Sequence, residues 1–139
     1  MGARGGISFD LSVNLRDGAH HSGNWGGLLA DPAMILAQAL SKITDERGQI
    51  LIPEWRPTSL TKDISSALRN LPIDSENGPL IDKDWGEKGL TPAERAFGWN
   101  SFTVLAMESG NPSAPVNAIS GSALAACQLR YVVGTEQEQ

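Results

Sequence analysis

Ile7-Ser8-Phe9-Asp10-Leu11-Ser12-Val13-Asn14-Leu15-Arg16 decides how this chain folds, because apolar and polar residues alternate through it without a break. Ile7, Phe9, Leu11, Val13 and Leu15 fall on one face, and Ser8, Asp10, Ser12, Asn14 and Arg16 on the other. A period of two with one apolar face is the pattern of a half-buried strand, most often antiparallel. The alternation stops at Arg16-Asp17-Gly18-Ala19-His20-His21-Ser22-Gly23-Asn24-Trp25-Gly26-Gly27. That stretch holds both of the 2 histidines and four of the 15 glycines. Loops held between regular elements are where functional groups usually sit. His21-Ser22-Gly23 therefore reads as an imidazole aimed at a target.

A helix over 31–47 follows. Asp31 suits the N-cap, Pro32 the first helical position and Gly48 the residue just past the end. Ala33, Leu36, Ala37, Leu40 and Ile43 make one stripe at helical spacing that would cover the sheet. Met34, Ile35 and Ala39 widen the apolar surface, so either the helix is deeply buried or a second face meets a partner. Gln49-Ile50-Leu51-Ile52-Pro53 is a brief strand or the exit from the helix. Residues 54–100 are cut up by Pro57, Pro72, Pro79 and Pro92. Within them Thr61–Leu71 fits a helix with Ile64, Leu68 and Leu71 on one face, and Thr91 with Glu94 fits a capping box. Trp55, Trp85 and Trp99 read as packing residues that pin this excursion to the core.

Strand patterning returns at 101–108 and 117–133, separated by the turn cluster Ser109-Gly110-Asn111-Pro112-Ser113. Ala123, Ala125, Cys127, Leu129, Tyr131 and Val133 share one face of the last strand, and Gly121 marks a bulge near its start. The expected fold is α+β: an antiparallel sheet of about four strands with helices on one face, a ferredoxin-like two-layer sandwich carrying an irregular insertion. Gly134–Gln139 resembles the first turn of a further helix, so the chain reads as cut at both ends.

The 139 residues suffice for one domain with its own core. A net charge of −5 disfavours a general nucleic-acid or anionic-membrane surface. The 1 cysteine, Cys127, lies in an apolar strand and reads as a buried packing residue in a reducing compartment. Met1–Gly6 has no apolar signal region, the myristoylation pattern is not matched, and no apolar run nears the ~20 residues of a membrane span. The expectation is a cytoplasmic protein.

The residues exclude more chemistry than they offer. Adjacent histidines point in different directions, and no third histidine or cysteine partner completes a zinc set. Ser22 adjoins His21, but there is no nucleophile elbow. Arg130, flanked by Leu129 and Tyr131, is either a solvated outer-face residue or a fixed carboxylate binder.

Arg4-Gly5-Gly6, Asp17, His21-Ser22-Gly23-Asn24-Trp25-Gly26-Gly27 and Asp31-Pro32-Ala33 resemble the opening of a lid domain. Val116-Asn117-Ala118-Ile119-Ser120-Gly121 and Leu129-Arg130-Tyr131-Val132 resemble its closing strand. The family is the two-zinc metallopeptidases related to carnosinase, aminoacylase, acetylornithine deacetylase and succinyl-diaminopimelate desuccinylase. The carnosinase-like branch fits best, because it carries a comparable insertion after the first helix. The resemblance spans essentially the whole chain and is weakest in 54–100.

It implies a lid, or dimerisation, domain over 7–133 with the insertion 54–100 inside it. Residues 1–6 are then a linker from a catalytic domain and 134–139 the start of a truncated second helix. Two zinc ions and the general base would belong to that catalytic domain, and none of its motifs is present. His21 matches the lid histidine that stabilises the oxyanion in the partner subunit's active site. Asn117 matches a substrate contact, and Arg130 an arginine that clamps a substrate carboxylate. Gly23, Gly26 and Gly27 shape the loop backbone, while His20 has no counterpart and is expected in solvent. Ser120 replaces the usual proline. The chain is expected to form a homodimer, to act on a peptide or N-acyl amino acid in the full-length protein, and to be inactive alone. The rival readings are a stand-alone small-ligand-binding or regulatory α+β module and a purely structural dimerisation domain.

Overall fold

The computed structural model describes residues 4–69, 71 and 78–132. In chain order the elements are β1 (Gly5–Asn14), β2 (His20–His21), α1 (Ser22–Trp25), α2 (Pro32–Ile43), α3 (Lys62–Arg69), α4 (Pro92–Phe97), β3 (Ser101–Glu108), β4 (Ala118–Ile119) and β5 (Ser122–Tyr131), with a 3-10 turn at Pro53–Trp55. The class is α+β with an antiparallel sheet, as the alternation predicts. The sheet has three strands in the order β1-β5-β3, and β2 pairs with β4 in a separate ribbon. Val133, the helical turn expected at 134–139, residues 1–3 of the expected linker and Pro72 lie outside the described residues.

The chain forms two compact units, each drawn from separate stretches of sequence. The sheet unit takes Ser8–Ser41 and Thr103–Gln128. In it β5 is the central strand, and Ala123, Ala125 and Cys127 are buried along one face at the expected spacing. Phe9, Leu11 and Val13 of β1 are half-buried on the predicted apolar face, while Leu15 is exposed past the strand end. Burial, and after it the charge of Asp10, pushes the Cys127 thiol up, so this cysteine is an inert packing residue.

The strand expected over 117–133 is broken in two. Gly121 stands between β4 and β5, and its carbonyl accepts from both the Leu15 and the Arg16 amides, at 2.9 and 3.4 Å. That convergence of two amides on one oxygen ends the regular ladder and lets the preceding residues turn away as the ribbon.

α2 begins as predicted. Asp31 Oδ1 accepts from the Ala33 amide at 3.0 Å, and the Ile35 amide closes the first turn on the Asp31 carbonyl at 3.1 Å. Leu36 is buried and Leu40 half-buried, but Ala37 is exposed, and so are Met34, Ile35 and Ala39. Of the two alternatives for this helix, deep burial within the chain is therefore excluded.

The helix ends at Ile43, short of the expected Arg47. Asp45 provides the reason: its Oδ1 accepts from the Arg47 and Gln49 amides at 3.0 and 2.9 Å, and its Oδ2 from Gln49 Nε2 at 2.7 Å. A short acidic side chain that satisfies nearby amides competes with the helical ladder. Gly48, at φ +82°, completes this turn rather than capping the helix, and a bridge between Thr44 and Ile50 closes it.

The second unit takes Met1–Ile7, Lys42–Phe102 and Leu129–Gln139. Ile43, Ile50, Leu68, Ala93, Leu129 and Val132 are its buried apolar residues. Buried Asn100 donates to the Trp55 carbonyl and accepts from the Val132 amide, each at 2.8 Å. Arg56 forks onto Glu87 at 3.0 and 2.6 Å and lies 5.3 Å from the centre of the Trp99 ring. The predicted capping box is present: Thr91 Oγ1 accepts from the Glu94 amide while Glu94 Oε1 accepts from the Thr91 amide. α4 packs against α3, and Ser65 of α3 donates its hydroxyl to buried Glu94. Trp55 packs on Phe102, and Trp99 lies under Arg56. Trp85 packs as well, although it is more than half exposed: its ring lies over Gly48, in the space a side chain at position 48 would need.

Candidate functional site

The glycine-rich loop is more ordered than its composition suggests. His20 and His21 form β2 and pair antiparallel with Ile119 and Ala118 of β4, His20 opposite Ile119 and His21 opposite Ala118. Directly after, the Ser22 amide donates to the Asn117 carbonyl at 2.9 Å, and Ser22–Trp25 make one helical turn closed by the Gly26 amide on Ser22 O at 2.8 Å. His21 and Asn117, distant in sequence, thus sit at one end of the same two-stranded ribbon. Arg130 belongs to the other unit.

His21 is exposed, and its orientation is set from below. The Gly23 amide donates to His21 Nδ1 at 3.1 Å. A nitrogen that accepts a hydrogen bond carries no proton, so in the neutral ring the proton resides on Nε2, which becomes the outward donor. Gly23 makes this possible twice over. A Cβ there would fall 2.7 Å from His21 Cε1 and 3.0 Å from Nδ1, so any side chain would displace the ring from its own amide partner. Gly26 and Gly27 shape the exit: a Cβ at Gly26 would meet the Ser22 carbonyl oxygen at 2.6 Å, and Gly27 holds φ +85°.

His20 corrects the expectation of a solvent-exposed ring. It is half-buried, and its imidazole meets Trp25 edge-on, with centroids 6.1 Å apart at 68°. The two histidines do face different ways, one packing the ribbon onto α1 and the other presenting a donor.

Two anchors escaped the reading of the sequence. Alternation places Arg16 only on the polar face of the strand, yet its Nη2 donates to the Ala30 carbonyl at 3.0 Å and its Nη1 to the Ser120 carbonyl at 3.4 Å. It therefore ties both ends of the histidine loop to the start of β5. The second anchor is the pairing of Ala118-Ile119, expected as part of one long strand over 117–133, with the histidines, whose own two-residue strand carries too little pattern to announce itself.

Asn117 is exposed. Arg130 is also exposed, on the opposite face of β5 from buried Leu129, and its guanidinium lies across Gly6 of β1. Among the described residues no three His, Cys, Asp or Glu side chains gather as a metal-ligand set. The arrangement offers directed donors. No helix among the described residues is long and apolar enough to cross a membrane.

No family model matches the chain. In sequence it is similar to the Beta-Ala-His dipeptidases of Mus musculus (34% identical over 84 residues, 59% of this chain and 17% of that protein) and Rattus norvegicus (32% over 77 residues, 54% of this chain and 16% of that protein). In structure it is similar to an M20 family metallo-carboxypeptidase from Sulfolobus solfataricus, with a TM-score of 0.74 at 19% identity over 96% of this chain and 36% of that one. It is likewise similar to human carnosine dipeptidase 1, with a TM-score of 0.70 at 22% identity over 94% of this chain and 29% of that one. The chain spans about a third of the length of these solved relatives. The resemblance read from the sequence is borne out as similarity to carnosine-type dipeptidases in sequence and to M20 family metallopeptidases in fold.

Proposed function

We propose that this chain is the lid and dimerisation domain of a zinc-dependent peptidase or amidohydrolase acting on dipeptides or N-acyl amino acids. It pairs with a second copy and extends His21 into the partner subunit's active site, where the Nε2–H donates to the oxyanion that develops on the scissile carbonyl. Asn117 contacts substrate from the lid side, and Arg130 holds a substrate carboxylate. The chain is inactive alone. The zinc ions are the cofactor of residues outside it.

The observation that carries this reading is the Gly23 amide on His21 Nδ1 at 3.1 Å. A preorganised donor aimed at developing charge is among the largest single contributions to acyl-transfer catalysis. His21 has the makings of one: a fixed tautomer, an exposed position and a rigid ribbon beneath it. The exposed Met34, Ile35 and Ala39 on α2, and Leu105 and Met107 on edge strand β3, supply the apolar surface for pairing.

The test is His21→Ala in the full-length protein, with an expected loss of roughly 10²–10³ in kcat and little change in metal content. An unchanged kcat would return His21 to the purely structural pairing reading. Turnover by the isolated chain with added zinc would overturn the assignment of the catalytic machinery to another domain.

A further inference from the structure

Two arginines stand on neighbouring strands, Arg4 just before β1 and Arg130 near the end of β5. Among the described residues the ion pairs are Arg56–Glu87 and Arg69–Glu94, and neither Arg4 nor Arg130 joins one. The paired glycines of β1 face the paired side chains of β5. A Cβ at Gly5 would run into the Tyr131 ring at 2.4 Å, and one at Gly6 would stand 3.1 Å from Arg130 Nη1. Glycine at position 6 thus lets the Arg130 head group lie directly on the neighbouring strand. Arg4, two residues before Gly6, is half-buried and donates from Nη1 to Ser101 Oγ at 3.1 Å.

Partial burial and, after it, the charge of Arg130 hold the Arg4 guanidinium below its ordinary value. Arg4 is partly dried, Arg130 is exposed, and neither has a counter-charge among the described residues, so the two like charges disfavour each other and an entering anion relieves both. Planar guanidinium forks match a carboxylate in particular, since each can offer parallel N–H groups to its oxygens. Ser101 fixes the geometry of one fork and the Gly6 backbone seats the other.

We propose that Arg4 and Arg130 together form the seat for the carboxylate of a peptide or N-acyl amino acid, with Arg4 as a further substrate-binding residue. This rests on the carboxylate-binding reading of Arg130 above and adds a second ligand to it.

The test is a titration of the chain with sodium hippurate, an N-acyl amino acid, at constant ionic strength. It is followed by the arginine Nε–Hε NMR signals, assigned with Arg4→Gln and Arg130→Gln. The Arg4 and Arg130 signals should move together and saturate with one dissociation constant. Arg4→Gln should weaken binding by about tenfold, with Arg4→Lys in between and melting temperatures unchanged. If Arg4→Gln lowers the melting temperature, the Arg4→Lys affinity decides, and wild-type affinity in that variant overturns the fork. A response from Arg130 alone overturns the role of Arg4 and leaves that of Arg130 standing. No response from either overturns both. Inorganic phosphate binding as tightly as hippurate overturns the assignment to a carboxylate.

Discussion

Gly121 and Arg16 are in backbone contact so close that a Cβ at position 121 would lie 2.1 Å from the Arg16 carbonyl oxygen and 2.8 Å from that of Gly18. The same glycine accepts the Leu15 and Arg16 amides, so the end of β1 and the start of β5 are locked at this point. Everything that carries His21 leaves from this junction.

Gly121→Ala is therefore expected to cost about 1–3 kcal/mol, because the clash is with backbone that cannot rotate away. Urea unfolding would measure it. The Ser22 amide should also exchange faster in this variant, since the ribbon loses its root.

Arg16→Ala removes two hydrogen bonds, one to the Ala30 carbonyl beyond the histidine loop and one to the Ser120 carbonyl just before β5. A loss of about 1–2 kcal/mol is expected from the paired bonds. Hydrogen exchange should show it concentrated at His21, Ser22 and Gly23, with the buried centre of β5 unaffected.

Gly23→Ala separates the tautomer of His21 from the stability of the fold. The added methyl would displace the imidazole and break the bond from the Gly23 amide to Nδ1. Nitrogen chemical shifts of the His21 ring should report a mixture of tautomers in place of a dominant Nε2–H form. In the full-length protein kcat should fall while global stability changes by less than about 1 kcal/mol, since the ring is exposed.

Glu94 gives the second unit a pH dependence of definite sign. The Ser65 hydroxyl and then the Thr91 amide hold its carboxyl below the ordinary carboxylate range, against the opposing effect of burial. The unfolded chain consequently takes up a proton before the folded one. The stability Glu94 lends is full above about pH 4.3 and is lost as the pH falls through its lower folded value. Glu94→Gln should flatten that acid limb in a series of melts. Glu94→Ala should cost about 1–3 kcal/mol at neutral pH by stranding the Ser65 and Thr91 donors.

Met34→Glu tests pairing. Met34 is 58% exposed on α2, so the substitution should leave folding within about 0.5 kcal/mol. If α2 is a dimer face, sedimentation equilibrium should show the variant monomeric at concentrations where the wild-type chain pairs.

Much of the scaffold was legible in advance. The alternation over 9–14, the buried series Ala123, Ala125 and Cys127, the Asp31 cap and the Thr91–Glu94 box all appear where their local patterns place them, while Ile7 and Leu15 at the ends of the alternation are exposed. Each depends on neighbours two to four residues away, within reach of a pattern of that period. Local pattern is a poor guide where two local rules compete. Gly48 looked like a helix terminator, but Asp45 gathered the amides of Arg47 and Gln49 first and closed the helix at Ile43. The site was legible as residue types only. Nothing in His20-His21 announces that one ring packs against Trp25 while the other is held by Gly23.

The sequence by itself determined the α+β class, the main strands, the capped helices and the loop that carries His21. These follow from periodicity and from the fixed geometry of short-range hydrogen bonds. The tertiary structure alone decided that His21 pairs opposite Ala118, that Arg16 reaches Ala30 and Ser120, and that Gly121 must lack a side chain. Such contacts join residues far apart in the chain. Their partners are chosen by which backbone groups the packed sheet leaves unsatisfied and by where two strands come too close for a Cβ, and neither condition exists until the chain has folded.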